Sequence, residues 1–249
     1  MKFANKKEYS RNLKVVILTN GNPHALRVLK HLDNSNIKIN SIVLERNTYL
    51  KDHVFKTKEL YLFRLIKAVR RLILRKLEIK RLIKAYEEYT NVIEVNKLNS
   101  IEMVDIFQEI NPDLIILGGI GIIDKKIIDT ARIGVLNSHP GLLPWIRGSG
   151  VIGRAIERDI AIGATCHWVD SDVDTGPIVE RRLLKIDKNY SLKQIEDLAD
   201  LLISEMLAET LINFYSNNLN TESINQSKKY PICKKLSDDE KESVEVLLK

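Results

Sequence analysis

The sequence predicts an α/β protein with a Rossmann-like, doubly wound, mostly parallel sheet and flanking helices. Short apolar runs alternate with stretches of helical periodicity, and several of these runs end in glycine or asparagine. Strands that alternate with helices form parallel sheets, and unbroken apolar runs are typical of strands buried on both faces. A chain of 249 residues is long enough for one large domain with a substantial core.

We expect three parts along the chain. A polar tip covers residues 1–12, and the main domain covers residues 13–215 with a basic helical insertion at about 51–90. A polar linker and a short C-terminal helical tail cover residues 216–249.

The first elements are a strand over residues 14–19, a helix that begins at Pro23 and a second strand over residues 37–44. Gly21 and Asn22 follow the first strand, where ligands of doubly wound folds bind. We expect free backbone amides there to bind a phosphate of the substrate, with a simple turn as the alternative. The chain lacks Gly-x-Gly-x-x-Gly at this position, which argues against a dinucleotide-binding oxidoreductase.

Residues 56–84 concentrate the basic charge of the protein. They contain eleven Lys or Arg and two Glu, a net charge of +9, whereas the whole chain carries +6. Apolar residues recur at helical spacing over residues 62–83, which predicts one or two amphipathic helices. Such a helix either packs on the sheet with a solvated basic face or contacts an anionic membrane, nucleic acid or phosphorylated substrate. Aromatic residues do not interleave the basic ones, which weakens the nucleic-acid alternative.

The second half returns to alternating strands and helices. We predict strands over residues 91–95, 113–117, 133–139, 163–169 and 178–186, and helices over 100–110 and 191–214. Ser100 is the N-cap of the first of these helices, and a capping box at residues 237–240 begins the last helix of the chain.

Three polar side chains indicate acyl-transfer chemistry. Asn137 and His139 lie two residues apart on one strand, so both side chains face the same side. The loop after the next strand contributes Asp174. An amide that binds an oxyanion, an imidazole that carries a proton and a carboxylate that orients it form a complete set for this chemistry.

The motifs around these residues resemble the folate-dependent formyltransferase family. They are Asn137-Ser-His139-Pro-Gly-Leu-Leu-Pro144, then Gly163-Ala-Thr-Cys-His167-Trp-Val169, then Asp174-Thr-Gly-Pro-Ile178, and the resemblance covers residues 12–190. The resemblance implies N10-formyltetrahydrofolate as the co-substrate, no metal, and Asn137, His139 and Asp174 as the catalytic residues.

The resemblance also implies binding residues. The loop Gly119, Ile120, Gly121, Ile122 and Ile123 would cradle the pterin ring, together with Asp170, Asp172 and Val173. From their place after the first strand, and not from the resemblance, Gly21 and Asn22 are expected to contact the acceptor. His167 is expected to contact it as well, with a purely structural role as an equal alternative.

The acceptor amine is reached by elimination. Glycinamide ribonucleotide enzymes begin with a Gly-x-Gly-Ser-Asn loop, where this chain has Thr19-Asn-Gly-Asn22. Methionyl-tRNA enzymes continue into a β-rich C-terminal domain, whereas helix and a polar tail follow here, which disfavours tRNA. A small phosphorylated amine remains, and a nucleotide-linked amino sugar is the first choice. The alternatives are glycinamide ribonucleotide, an inactive binding module, and a peripheral membrane protein that uses the basic helix.

Composition suggests a cytoplasmic location. No apolar run approaches the roughly 20 residues of a membrane span, and no apolar region follows the charged N-terminus. Cys166 and Cys233 are far apart, match no metal spacing and are expected to be plain thiols. The sequence does not specify an oligomeric state.

Overall fold

The computed structural model describes residues 13–45, 77, 80–187, 189–216 and 223–248. The strands are β1 (Val15–Thr19), β2 (Ser41–Glu45), β3 (Asn91–Val95), β4 (Leu114–Leu117), β5 (Gly134–His139), β6 (Arg147–Gly148), β7 (Gly163–Trp168), β8 (Ile178–Leu183) and β9 (Ile232–Cys233). The helices are α1 (Pro23–Asn34), α2 (residues 80–87), α3 (Ile101–Ile110), α4 (Lys125–Ile128), α5 (Val151–Glu157), α6 (Leu192–Tyr215) and α7 (Asp238–Leu247).

Seven strands form one twisted sheet in the order β3-β2-β1-β4-β5-β7-β8. The first five of these are parallel, and β7 and β8 are added antiparallel at the far edge. The predicted Rossmann-like, mostly parallel fold is therefore confirmed. The strand order reverses between β1 and β4, which is where ligands bind in open α/β sheets.

The central strands are buried on both faces because helices cover both sides of the sheet. Val15 and Ile17 of β1 pack with α1, α2 and α6, whereas Val16 and Leu18 pack against α3 and α4. All five residues of β1 are buried. An unbroken apolar run, without alternation, is the sequence pattern that such a strand requires.

Side chains cap four of the helices at their predicted starts. Asn22 and Ser100 accept hydrogen bonds from the first turns of α1 and α3. Ser191 and Ser237 form capping boxes with Gln194 and Glu240, which begin α6 and α7. These caps satisfy amide groups that have no partner inside the helix.

Two predicted strand boundaries differ from those in the structure. The second strand begins at Ser41 rather than at residue 37, because residues 35–37 bond back to the end of α1. Strand β8 ends at Leu183 rather than at residue 186, because Leu183 pairs with Gly163, the first residue of β7. Strand β5 ends at His139, just before Pro140, as predicted, and its polar end pairs with β7.

The segment expected to be a linker returns to the main domain. Among its described residues, Ile224 forms a bridge with Ile178, and β9 pairs in parallel with β6. Cys233, Leu236 and Val244 are buried in a third apolar cluster with α5 and the start of α6. Residues 223–248 are therefore built into the same fold as the sheet.

The basic insertion lies mostly outside the described residues. Residues 80–87 are helical, and Tyr86 is fully buried against α1 and α6. The proposed amphipathic stripe and the membrane contact through residues 56–84 fall largely on the undescribed part. Across the portion of the chain that the structure describes, no helix is long and apolar enough to cross a membrane.

The packing of the C-terminal segment predicts a contrast between two leucines. Leu236 is 6% exposed and Leu247 is 62% exposed. We expect Leu236→Ala to lower the free energy of unfolding by about 2–5 kcal/mol, because it removes buried apolar contacts and leaves a cavity. Leu247→Ala is the matched control, with a change within about 0.5 kcal/mol. Urea denaturation measures both, and equal stabilities of the two variants would contradict the packing.

Candidate active site

A cleft of about 510 Å³ opens at the carboxyl ends of the central strands. Its walls come from the ends of β1, β4 and β5, from the loop after β7 and from residues of α6 and β9. This volume is in the range of small-molecule sites. The cleft lies at the reversal of strand order, so the fold positions it where the topology predicts.

Asn137 and His139 both line the cleft, as alternation along a strand requires. The antiparallel register places Asn137 opposite His167 and His139 opposite Thr165. His139 is only 3% exposed, whereas Asn137 is half-buried and accessible from the cleft. The amide is therefore the more accessible of the two groups.

Asp174 reaches His139 from the loop after β7. Its Oδ2 lies 3.5 Å from His139 Nδ1 and accepts a hydrogen bond of 2.8 Å from the Gly148 amide. Asp174 has a left-handed backbone with φ of 51°, and the turn closes tightly two residues later. A Cβ on Gly176 would lie 1.9 Å from the Trp168 carbonyl oxygen, so glycine is required there.

The two ring nitrogens of His139 both face oxygen atoms. Nε2 lies 3.1 Å from the Ile146 carbonyl oxygen, which accepts a hydrogen bond, so Nε2 carries a proton. Nδ1 faces the Asp174 carboxylate. Each ring nitrogen of His139 therefore faces an oxygen atom, and these two contacts orient the ring.

His167 is buried directly behind Asn137. Burial lowers the pKa of His167 from 6.5 to about 4, in spite of the opposing effect of the Asp174 carboxylate. Its Nδ1 donates to the Trp168 carbonyl at 2.8 Å, which leaves Nε2 as an acceptor. Asn137 Nδ2 lies 3.3 Å from that Nε2. His167 lines the cleft, as a substrate-contacting residue would, but its polar atoms bond to the protein and orient the Asn137 amide.

The glycine loop predicted to hold a flat ring forms one wall of the cleft. All five residues from Gly119 to Ile123 line it. Gly119 has φ of +78°, and a Cβ there would lie 2.7 Å from the Asn22 Cβ, so the loop packs closely against the end of β1. Ile122 is 69% exposed and Ile232 is 50% exposed, which leaves apolar surface on two sides of the opening.

Asp170, Asp172 and Val173 also line the cleft, but the two carboxylates have partners in the protein. Lys228 Nζ lies 2.7 Å from Asp172 Oδ2 and 3.3 Å from Asp170 Oδ2. The Thr175 hydroxyl donates to Asp170 at 2.5 Å. The ammonium group of Lys228 lowers the pKa of Asp172 through a hydrogen bond, so this loop is charged and cross-linked.

The Gly21 amide of the loop predicted to bind a phosphate, and the His24 amide just after that loop, donate hydrogen bonds within the protein. The Gly21 amide donates to Thr19 Oγ1 at 3.2 Å, and the His24 amide donates to Asn22 Oδ1 at 3.0 Å. Asn22 lines the cleft, whereas Gly21 is buried and does not. A phosphate there would have to compete with these bonds.

Sequence reasoning missed the contributions of the C-terminal segment. Gln226 Nε2 donates to the carbonyl oxygens of Asp174 at 3.2 Å and Gly176 at 2.6 Å. Lys228 pairs with the Asp170–Asp172 loop, and Ile232 and Cys233 line the cleft. No local pattern in the polar residues 216–227 indicates these contacts, because they depend on where the chain returns in space.

The low pKa of His167 predicts a loss of stability in mild acid. The folded protein keeps this imidazole neutral down to about pH 4, whereas the unfolded chain protonates it near pH 6.5. The unfolded state then binds more protons, so the free energy of unfolding falls as the pH is lowered from 6.5 towards 4. His24 contributes in the same direction, since its pKa is also lowered to about 4.

We expect His167→Gln to flatten this slope between pH 6.5 and 5, because the replacement removes one titrating ring. Urea denaturation at several pH values measures the slope for the variant and the parent protein. An identical slope in both would contradict the assignment of a neutral, buried ring.

The contacts of Gln226 predict that it orders the Asp174 loop. We expect Gln226→Glu to speed amide hydrogen exchange over residues 169–177, because the isosteric carboxylate removes the donor and faces two carbonyl oxygens. Gln108→Glu is the matched control on the exposed side of α3. Mass spectrometry of exchanged peptides measures both variants, and equal protection of the loop would refute the role of Gln226.

Solved structures of other proteins share the fold described above. A formyltransferase from Anoxybacillus kamchatkensis, in complex with UDP-4,6-dideoxy-4-formamido-L-AltNAc and tetrahydrofolate, superposes with a TM-score of 0.55 at 19% identity, covering 91% of this chain and 88% of that one. Phosphoribosylglycinamide formyltransferase from Anaplasma phagocytophilum superposes with a TM-score of 0.61 at 16% identity, covering 89% and 96%. At these identities the likeness shows the shared fold.

In sequence, methionyl-tRNA formyltransferase from Ruminiclostridium cellulolyticum is 31% identical over 137 residues, which are 54% of this chain and 44% of that protein. The chain thus spans less than half the length of the curated relatives it matches. Residues 13–211 match the family model described as formyl transferase. Because this match covers most of the chain, the protein belongs to the formyl transferase family.

Proposed function

We propose that the protein transfers a formyl group from N10-formyltetrahydrofolate to a primary amine of a small acceptor. The observation that carries this proposal is the convergence of Asn137, His139 and Asp174 on one cleft in a chain of the formyl transferase family. Each group suits one requirement of acyl transfer between two nitrogens.

The amine attacks the formyl carbon and forms a tetrahedral intermediate with a negative oxygen. In this proposal the Asn137 amide, held by His167 through one N–H, donates its other N–H to that oxygen. Such a donor is aimed before the charge develops, so it stabilises the transition state more than the bound substrate. The bond from the formyl carbon to the N10 nitrogen then breaks, and tetrahydrofolate leaves.

In this proposal His139 and Asp174 transfer the protons that the reaction moves. The attacking amine loses one proton, and the departing N10 nitrogen gains one, so the reaction needs a group that moves protons near neutral pH. The His139 ring, fixed by Ile146 and Asp174, stabilises the intermediate as a cation and exchanges its proton through Asp174 and water.

The cleft suits a flat, partly apolar co-substrate. In the Gly119–Ile123 wall, backbone atoms lie close to the opening of the cleft, and isoleucine side-chain surface is exposed there. The Asp170–Val173 loop offers polar groups on another side of the same cleft. These two walls are our proposed site for the pterin ring.

A nucleotide-linked amino sugar is the proposed acceptor. The similar protein from Anoxybacillus kamchatkensis was solved with a formylated UDP-sugar and tetrahydrofolate, which supports this class. Formylation of methionyl-tRNA is the second candidate, because relatives of about 30% identity are methionyl-tRNA formyltransferases. The expectation that tRNA is disfavoured as a partner thus receives no support from these relatives. Glycinamide ribonucleotide remains the third candidate, since the fold is shared with its formyltransferases.

Release of free tetrahydrofolate tests the proposal. The protein is mixed with N10-formyltetrahydrofolate and, separately, with 4-amino and 3-amino sugar nucleotides, glycinamide ribonucleotide and methionyl-tRNA. We expect turnover with one sugar nucleotide, and a fall in kcat of about 10²–10³ in Asn137→Ala, because the oxyanion loses a donor. Asn213→Ala, on the exposed side of α6, is the control and keeps full activity.

The outcomes separate the alternatives. Turnover with methionyl-tRNA or glycinamide ribonucleotide alone would show that the acceptor is not a sugar nucleotide. The proposed formyl-transfer reaction would stand. Binding of the folate without turnover of any amine would indicate an inactive binding module. No binding of the folate would overturn the proposed function itself.

A further inference from the structure

A second buried histidine forms part of the cleft wall. His24 lies in the first turn of α1, lines the cleft and is 3% exposed. Its Nδ1 lies 2.7 Å from the Ser204 hydroxyl of α6. Its Nε2, on the other side of the ring, is buried and has no hydrogen-bond partner among the described residues. Buried polar atoms are normally paired, so a bound molecule is the natural source of the missing partner.

The surrounding hydrogen bonds determine what His24 Nε2 can do. The Ser204 hydroxyl donates to the Asp200 carbonyl at 2.8 Å and accepts from Arg27 Nε at 3.1 Å. The proton between Ser204 and His24 therefore belongs to the ring, and Nδ1 is the donor. Nε2 is left with a lone pair and acts as an acceptor. Burial, helped by the nearby Arg27 charge, lowers the pKa of His24 to about 4, so the ring stays neutral at physiological pH.

The neighbourhood of His24 disfavours an anionic ligand group. The Asp200 carboxylate lines the same cleft, and the amides of Gly21 and His24 already donate within the protein. Both Arg27 contacts are likewise made within the protein, to Ser204 and to the Asp200 carbonyl. A group that carries a proton to donate, and no negative charge, matches this wall.

The distance from the reacting centre indicates which part of the substrate reaches His24. Strand β4 separates β1 from β5, so the ends of β1 and β5 are two strand spacings apart, about 10 Å. In the proposed reaction the formyl-accepting amine lies beside Asn137 on β5, whereas His24 lies on α1, which follows β1. The partner of His24 therefore belongs to another part of the acceptor, on the side of the cleft where Asn22 lies.

We propose that His24 forms a subsite of the cleft in which Nε2 accepts a hydrogen bond from a neutral hydroxyl or N–H of the acceptor. The inference rests on the proposed function and narrows the substrate class to amines that carry a neutral donor on a part of the molecule away from the reacting nitrogen. It also places any phosphate of the acceptor away from the loop of residues 20–24.

Two substitutions of His24 distinguish the loss of the hydrogen-bond acceptor at Nε2 from a general loss of folding. In His24→Asn the side-chain amide keeps a donor near Ser204 and removes the acceptor at Nε2. In His24→Gln the longer side chain places an oxygen near the position of Nε2. His31→Asn, at an exposed position of the same helix, is the matched control.

The experiment measures KM for the sugar nucleotide that turns over in the folate-release assay, and KM for N10-formyltetrahydrofolate. We expect His24→Asn to raise KM for the acceptor about tenfold to hundredfold, with KM for the folate unchanged. His24→Gln should stay within about threefold of the wild type, as should His31→Asn. Thermal unfolding of all variants shows whether each one is folded.

Modified acceptors identify the donor. With the wild type, a deoxy analogue that lacks the bonded hydroxyl should raise the acceptor KM by the same factor as the His24→Asn substitution does. With His24→Asn itself, the analogue should raise KM no further. If only an N-methylated analogue behaves in this way, the donor is an N–H.

Three results would overturn the subsite. An unchanged acceptor KM in folded His24→Asn would show that Nε2 makes no contact with the acceptor, although the proposed reaction would stand. A higher KM for the folate alone would assign His24 to the co-substrate. Failure of the wild type to turn over any amine would remove the proposed function and this inference together.

Discussion

The candidate site depends on the antiparallel pairing of β5 with β7. This register places Asn137 opposite His167, which binds its amide, and His139 opposite Thr165. The Thr165 hydroxyl in turn donates to the Gly141 carbonyl at 2.7 Å and accepts from the Leu143 amide at 3.1 Å. It thereby holds the turn that leads to the Ile146 carbonyl, the partner of His139. A register slip of one residue would turn these side chains to the other face of the sheet, and the site would not form.

Backbone carbonyl oxygens determine the roles of His139 and His167. The Trp168 carbonyl accepts a hydrogen bond from His167 Nδ1, and the Ile146 carbonyl accepts one from His139 Nε2. The remaining nitrogen of each ring is then assigned: the one in His167 accepts from Asn137, and the one in His139 faces Asp174. The backbone thus fixes tautomers before any substrate binds, which is a form of preorganisation that protein sites use to keep reacting groups aimed.

Contacts from the C-terminal segment hold the loop after β7, which forms one wall of the cleft. The loop after β7 carries four polar groups that need partners, and Gln226 and Lys228 supply them. Burial of Leu236 and Val244 against α5 and α6 anchors the segment that carries these two side chains. Stability of the third apolar cluster and order of the Asp174 loop are therefore coupled through the chain, and Cys233 belongs to both the cluster and the cleft wall.

The sequence alone determined the α/β class and most strand and helix positions, and it predicted the three polar residues of the candidate site. Unbroken apolar runs, capping serines and the spacing of Asn137 and His139 are local patterns, and local patterns can be read from the chain. Only the tertiary structure decided the rest, which includes the binding of Asn137 by His167, the use of the Gly21 and His24 amides, and the approach of Gln226 to Asp174. These contacts join residues far apart in the chain or depend on burial, and burial is set by everything that packs around a residue. The acceptor atom of His24 illustrates this, because its chemical role depends on Ser204, which lies 180 residues away in sequence.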